Sequence, residues 1–275
     1  MSSFILKNGK FILADEKLFQ LEELGSFLFS EKIRAVRNDF PFFNETVDLF
    51  LLKFRIFNCL VPEILAGNAR ELKRQMERLL VKNKLFKSAV ITISFFLDTE
   101  GIDYLLSPEA LDLTEFELNR KGLLVDVFDK IQKAVSALSG LSIGSDSLWR
   151  IASAHLVNSG FDDFLIINSE DKIVEGIAKK LLVVKGNKLI GVSASSGAFM
   201  DVAGSLIPVL AQNIGLSYIE TNGFTVAELN EADELVFFDS LTGFQWILGF
   251  REKRYYSLKA RQINDELNKL VLKRE

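Results

Sequence analysis

The side chains in this sequence that could do chemistry are few, and their spacing excludes several mechanisms at once. His155 is the only histidine and Cys59 the only cysteine. An intrachain disulfide, a cysteine-built metal centre and a paired-histidine zinc site are therefore excluded, and His155 is the sole candidate for Ser-His or Cys-His catalysis. It shares a helical face with Ile151 and Ala152 and reads as a core-edge residue. Asp162 and Asp163 are adjacent, so on an extended chain their carboxylates point to opposite sides and make a poor cation site. Lys179-Lys180 reads as a solvated turn between two strands. The loop Ser193-Ala-Ser-Ser-Gly197 runs toward a helix opening at Asp201. Its amides could cradle a phosphate, but a carboxylate at 201 would satisfy those N–H groups itself and repel an anion, so Asp201 reads as a helix cap. Glu175 stands out, because it sits between Val174 and Gly176 at the end of an apolar segment where a carboxylate is costly unless paired.

Composition sets the frame around these groups. The chain has 275 residues, enough for one large domain or two modest ones with proper cores. The formal net charge of −4 leaves no electrostatic footprint for nucleic acid or an anionic membrane. No apolar run approaches the roughly 20 residues needed to span a bilayer. Met1 to Lys10 lacks the order of a secretory signal. The expectation is a soluble protein of a reducing compartment, cytoplasmic, with no nucleic-acid or membrane partner. The 24 Phe residues, many in N-terminal clusters such as Phe40, Phe42 and Phe43, read as core and interface filling.

The elements that must position the polar groups fall in two sets. Phe4 to Leu6 and Phe11 to Leu13 flank Asn8-Gly9 and predict a tight hairpin. Ile33 to Val36 reads as a strand with Arg37-Asn38-Asp39 as its turn. Asn44 to Ile56 reads as a helix with Val47, Phe50, Leu51 and Phe54 on one face, and Asn68 to Leu80 as a second. Ala89 to Leu97 is β-rich. Residues 1–118 are expected to form a smaller α+β domain, 119–126 the interdomain connection and 127–275 a larger α/β domain. In the latter, a helix carries Leu148 to Leu156 and stops at Ser159-Gly160. Strands follow at Phe164–Ile167, Lys172–Glu175, Leu181–Val184 and Glu234–Phe238, with Gly186-Asn187 as a turn. A helical stripe runs through Ala203, Ile207, Leu210 and Ile214, and a terminal one through Leu258, Ile263, Leu267 and Leu270.

Several segments in this order resemble one family. The run from Gly160 through Asp162-Asp163 to a strand ending at Asn168, the turn Asp171-Lys-Ile-Val-Glu-Gly176, the hairpin strand Leu181–Lys185, and Ala232-Asp-Glu-Leu-Val-Phe-Phe-Asp-Ser-Leu-Thr-Gly243 resemble the class IV aminotransferases. That family comprises branched-chain and D-amino-acid aminotransferases and aminodeoxychorismate lyase. Asn8-Gly9, the strand near Ile33 and Pro41-Phe42-Phe43 fit its N-terminal order more loosely. The resemblance implies a mixed α/β, two-domain, fold-type IV architecture and a homodimer. It also implies pyridoxal phosphate (PLP) in an interdomain cleft, held by a Schiff-base lysine, a carboxylate on the pyridine nitrogen and a phosphate cup.

Residue by residue, the resemblance carries over unevenly. Counting back from Asp162 and Asp163 puts the family lysine at Ser142, whose hydroxyl cannot form an aldimine. Lys130 and Lys133 match no family lysine. Leu49 stands where a phosphate-binding arginine is expected. Met200 to Gly204 aligns with the phosphate turn, so Val202 and Ala203 are implied phosphate-side residues, but Asp201 replaces its glycine. Lys180 replaces an asparagine. Glu175 matches the pyridinium partner, and Ser240 with Leu241 matches the second phosphate turn. Glu175 has another reading, as a buried partner of Lys179, Lys180 or a backbone amide, and Ser240 as an ordinary turn residue. The expectation is a diverged class IV aminotransferase-like protein with PLP binding weak or lost and no PLP-dependent activity. It leaves room for another small ligand or a partner protein at the cleft. The alternative is an active aminotransferase or aminodeoxychorismate lyase using another lysine. A lysine side chain beside Glu175 is the feature that would favour it.

Overall fold

The computed structural model describes residues 3–14, 25–37, 39–99 and 101–272, so Asn38 of the expected turn lies outside the described residues. The chain divides into two compact units, Met1–Glu115 and Phe116–Glu275.

The first unit is an antiparallel sheet with two helices. Its strands are β1 (Phe4–Lys7), β2 (Lys10–Leu13), β3 (Ser26–Val36), β4 (Ser88–Asp98) and β5 (Gly101–Ala110), in the order β2-β1-β5-β4-β3. The β1–β2 turn places Asn8 and Gly9 at φ 45° and 82°, the left-handed pair that a two-residue hairpin requires. Helix α1 (Phe43–Ile56) and helix α2 (Ala66–Lys82) follow the expected ranges, although Gly67, Asn68 and Ala69 have left-handed backbone and α2 is regular only beyond them. The phenylalanine wealth is used here as core: Phe54 and Phe95 ring centres are 5.0 Å apart, Phe29 and Phe54 5.1 Å, and Phe50 and Phe95 5.2 Å. Lys53 is buried among these rings and pairs with Glu31.

In the second unit a barrel carries the polar cluster. Its elements are β6 (Leu123–Lys133), α3 (Ser142–Leu156), β7 (Asp163–Asn168), β8 (Ile173–Gly176), β9 (Lys179–Lys185), β10 (Lys188–Val192), α4 (Ile207–Asn213), β11 (Ser217–Thr221), α5 (Val226–Asn230), β12 (Glu234–Asp239), β13 (Gly243–Phe250), β14 (Lys253–Arg254) and α6 (Leu258–Val271). Strand order is β11-β10-β9-β12-β13-β6-β7-β8, and β8 pairs back onto β9. The six strands β9, β12, β13, β6, β7 and β8 thus close a ring, which leaves those strands no free edge. Val125, Leu165, Leu181, Val183, Phe237 and Ile247 belong to one buried apolar cluster of this unit. Strands β6 and β7 are parallel, so α3 is the crossover between them.

Several expectations need correction. Of the stretch 119–126, Leu123–Asp126 is not connection but the start of β6, between β13 and β7 in the ring. The helix expected from Asp201 starts later, as one 3-10 turn at Gly204–Leu206 followed by α4, because the Asp201 carboxylate closes a turn on Ala203 instead. Ile151 and His155 are exposed, and the His155 ring lies tilted against that of Phe128, with centres 5.6 Å apart. Leu258 and Leu270 are exposed as well, because the buried face of α6 runs through Ala260, Ile263, Asn264, Leu267 and Asn268.

Candidate functional site

The polar cluster lies within the second unit and is assembled by strand register. The β8–β9 hairpin turns at Ile177-Ala178, not at Lys179-Lys180, and its register pairs Glu175 with Lys180 and Gly176 with Lys179. Directly opposed residues of an antiparallel pair share a face, so Glu175 and Lys180 are brought to the same side. Lys179 takes the other side and binds Asp163 at 2.7 Å. Lys133, the last residue of β6, reaches the Glu175 side after an irregularity that shifts the β6–β7 register between Phe128 and Lys133.

Glu175 is fully buried and both its oxygens are engaged. Oε2 accepts from the Lys133 ammonium at 2.6 Å and from the Phe199 amide at 2.6 Å, and Oε1 accepts from the Trp149 indole N–H at 2.7 Å. Trp149 is supplied by α3, two turns beyond Ser142, which is the first residue of that helix. The Lys133 ammonium also lies 5.2 Å from the centre of the Trp149 ring. Burial pushes Glu175 above the ordinary carboxylate range, opposed by the Lys133 charge. Burial likewise pushes Lys133 below the ordinary ammonium range, opposed by Glu175.

Beside this pair lies a second charged set. Lys180 donates to the Phe199 carbonyl at 3.3 Å. Burial lowers its pKa, against the attraction of Asp201, Glu220 and Glu175. Asp201 joins two turns that are distant in sequence: Oδ1 accepts the Ala203 amide at 2.7 Å, and Oδ2 accepts the Ser240 amide at 2.8 Å. Asp239 takes the remaining amides of the second turn, Leu241 at 2.8 Å and Thr242 at 2.7 Å, together with the Thr242 hydroxyl. Burial, then the Asp239 charge, pushes Asp201 up to about 6, against the hydrogen bonds from Ser240 and Ala203.

The sequence-singled residues therefore divide. Glu175, Lys180, Asp201, Ala203, Ser240 and Leu241 belong to this cluster or its turns, as does Val202, half-buried in the first turn. Leu49 is half-buried on α1 in the first unit. Lys180 is no solvated turn residue. A backbone amide, that of Phe199, is one partner of Glu175, but its cation is Lys133 rather than Lys179 or Lys180. Lys133, Trp149 and Phe199 had no signal in the sequence beyond the need of a buried carboxylate for donors. Asp163 spends its carboxylate on the amides of Phe164 and Ile177 and on Lys179, and Asp162 accepts from Leu124. Among the described residues no group of three or more potential ligands is arranged for a metal, and no helix is long and apolar enough to cross a membrane.

No protein-family model matches the chain. A probable branched-chain-amino-acid aminotransferase of Aquifex aeolicus is 25% identical over 191 residues. The match covers 64% of this chain and 60% of that relative's length, less than two thirds of it. Among solved structures, the branched-chain aminotransferase of Thermoproteus uzoniensis with norvaline matches with a TM-score of 0.82 at 17% identity, over 100% of this chain and 97% of that one. The branched-chain amino acid aminotransferase of Escherichia coli matches at 0.80 and 16%, over 98% and 95%. The PLP form of the Thermobaculum terrenum enzyme matches at 0.82 and 16%, over 100% and 95%. The chain has the fold of the class IV aminotransferases, a mixed α/β fold of type IV.

Proposed function

We propose that this class IV aminotransferase fold belongs to a diverged member that does not carry out PLP-dependent transamination or lyase chemistry. The observation behind this reading is the state of Glu175. The carboxylate that the resemblance assigns to the pyridine nitrogen already receives three donors from its own chain, one of them a buried ammonium. A cofactor nitrogen would have to share this carboxylate with three donors or displace Lys133, and displacement would leave that charge buried without its partner, at a cost of several kcal/mol. On the phosphate side, the Ala203 and Ser240 amides are bonded to Asp201. In this reading PLP does not fit the residues as they stand, and Ser142 offers a hydroxyl where the family has its amine. What remains is a fold whose old cofactor groups are bonded to one another, suited to binding a partner or another small molecule rather than to carbanion chemistry.

One observation favours the other reading. Lys133 is a buried amine beside Glu175, with its pKa pulled down by burial, as Schiff-base lysines often are. The same experiment decides between the two. The purified full chain is incubated with PLP and reduced with borohydride, and its intact mass is measured. The expected result is no stoichiometric adduct and no aldimine absorbance. A single stoichiometric adduct that digestion maps to Lys133 would establish the enzyme reading, and one at any other lysine would equally overturn the proposal.

A further inference from the structure

We infer that Asp201 is a built-in anion, whose carboxylate fills an oxyanion cup made by the 200–204 and 239–242 turns and keeps phosphate groups out of it. This rests on the functional reading above in taking those turns as the phosphate side of the fold.

The geometry is that of a ligand held by two loops. The two oxygens of one carboxylate each take a single backbone amide, Ala203 at 2.7 Å and Ser240 at 2.8 Å, from segments far apart in the chain. Amides converging on one point favour an anion whatever its source, and a phosphate presents oxygens to such donors in the same way. The charge around the cup is mixed: burial and Asp239 oppose an anion there, while the two amides and Lys180 favour it. Lys180 extends its side chain beside Gly204, where a Cβ would lie 3.5 Å from the lysine Cδ, and its ammonium is attracted by Asp201. Asp239 stands next to Asp201 and would discourage a second negative charge, yet its own oxygens are spent on Leu241 and Thr242. With Asp201 in place, the cup is occupied and Lys180 is balanced. Without it, the Ala203 and Ser240 amides would lose their acceptor and the nearby half-buried Lys180 would lose the charge of Asp201. That combination favours a small oxyanion, for which inorganic phosphate is the probe.

A carboxylate that merely staples two turns predicts something different. Its removal would loosen the turns without creating a binding site. The experiment compares the full chain with its Asp201→Ala variant in inorganic phosphate, against chloride of matched ionic strength at neutral pH. Thermal unfolding and calorimetric titration are the readouts. The expected result is saturable phosphate binding by Asp201→Ala, with a phosphate-specific rise in melting temperature of about 3 °C at roughly tenfold excess over the dissociation constant. The unaltered chain should show no phosphate-specific rise. Adding Lys180→Met to Asp201→Ala should remove the gain. If Asp201→Ala does not fold, Asp201→Ser serves, since its hydroxyl can accept from Ala203 alone and leaves the Ser240 amide open. Phosphate binding by the unaltered chain as tight as by the variant would overturn the inference, because the cup would be open. So would a folded variant that ignores phosphate, or failure of both variants to fold, which would mark Asp201 as a staple. These outcomes are separable from the PLP test. A borohydride adduct on the unaltered chain would overturn the functional reading on which the inference rests, whereas a phosphate-inert variant would overturn only the role of Asp201.

Discussion

Removing Lys133 would leave Glu175 with two neutral donors and no cation. Breaking one side of a buried ion pair typically costs about 3 kcal/mol or more, whereas replacing both sides together is often near neutral. Lys133→Met is therefore expected to lower the unfolding free energy by about 3 kcal/mol, and adding Glu175→Gln should restore much of it. Urea unfolding of both single variants and the double variant checks this, and additive losses would mean the two groups are not coupled. Asp201 makes a prediction about pH. Its folded pKa of about 6 lies above the ordinary value of 3.8. A carboxyl raised on folding holds its proton more tightly in the folded state. That contribution is complete below about pH 4 and is lost as pH rises through about 6. Asp201→Asn lacks this titration. The stability of the unaltered chain relative to Asp201→Asn should fall by about 2 kcal/mol between pH 4 and pH 7.5, less than the full shift implies because Asp201 is only half-buried. Urea midpoints across that range give the difference, and a curve flat with pH would count against the burial of this carboxylate.

The ring of six strands is closed by the short β8–β9 hairpin, and that closure is where the second unit is most sensitive. A Cβ on Gly176 would meet the buried Phe237 ring at 2.7 Å. Both are fixed, Gly176 by its pairing to Lys179 and Phe237 by its pairing to Leu181, so neither can give way cheaply. Gly176→Ala is expected to cost about 2 kcal/mol by overpacking, read as a lower urea midpoint with unchanged slope. A variant as stable as the original would show that the hairpin can move off the barrel. The same hairpin shows what was legible in the sequence. The apolar runs at Phe164–Ile167, Leu181–Val184 and Glu234–Phe238 announced β7, β9 and β12, because strands covered on both faces read as continuous hydrophobic segments. Strand β5 carried no such run, being broken by Asp103, Ser107, Pro108 and Glu109. The sequence points to the wrong turn because Lys179-Lys180 looks solvated while Ile177-Ala178 carries no turn chemistry, although Ala178 has φ 53°. Moving the turn by two residues converts Lys180 from a surface residue into a member of the cluster. The need of Glu175 for a partner was visible in its apolar setting. The partner was not, since Lys133 lies 42 residues away and reaches it only through the β6 irregularity.

For the molecule as a whole, the chain is tied down on each side of the Glu115–Phe116 peptide bond, within each unit separately. In the first unit the buried Arg34 of β3 donates to the carbonyls of Leu113 and Glu115. In the second, the Phe116 amide donates to Asn268 at 3.0 Å, and the Phe116 carbonyl accepts from Asn264 at 2.7 Å and Asn268 at 2.8 Å. These asparagines lie on the inner face of α6, so the first residue of the unit is fastened to its last helix. A fragment spanning 116–275 carries that fastening and the whole of β6. It is expected to unfold cooperatively, with far- and near-ultraviolet circular dichroism changing together in urea. A fragment spanning 127–275 loses Phe116 and also Leu123 to Asp126, including Val125, which is fully buried and pairs with both β13 and β7. Its ring would be cut open between those strands, leaving edges unpaired and core surface uncovered. Such a fragment should keep secondary structure but lose near-ultraviolet signal and bind a hydrophobic dye. Cooperative unfolding of the shorter fragment at the same urea midpoint would mean that the start of β6 does not hold the barrel closed, and that the unit begins later in the chain than its hydrogen bonds imply.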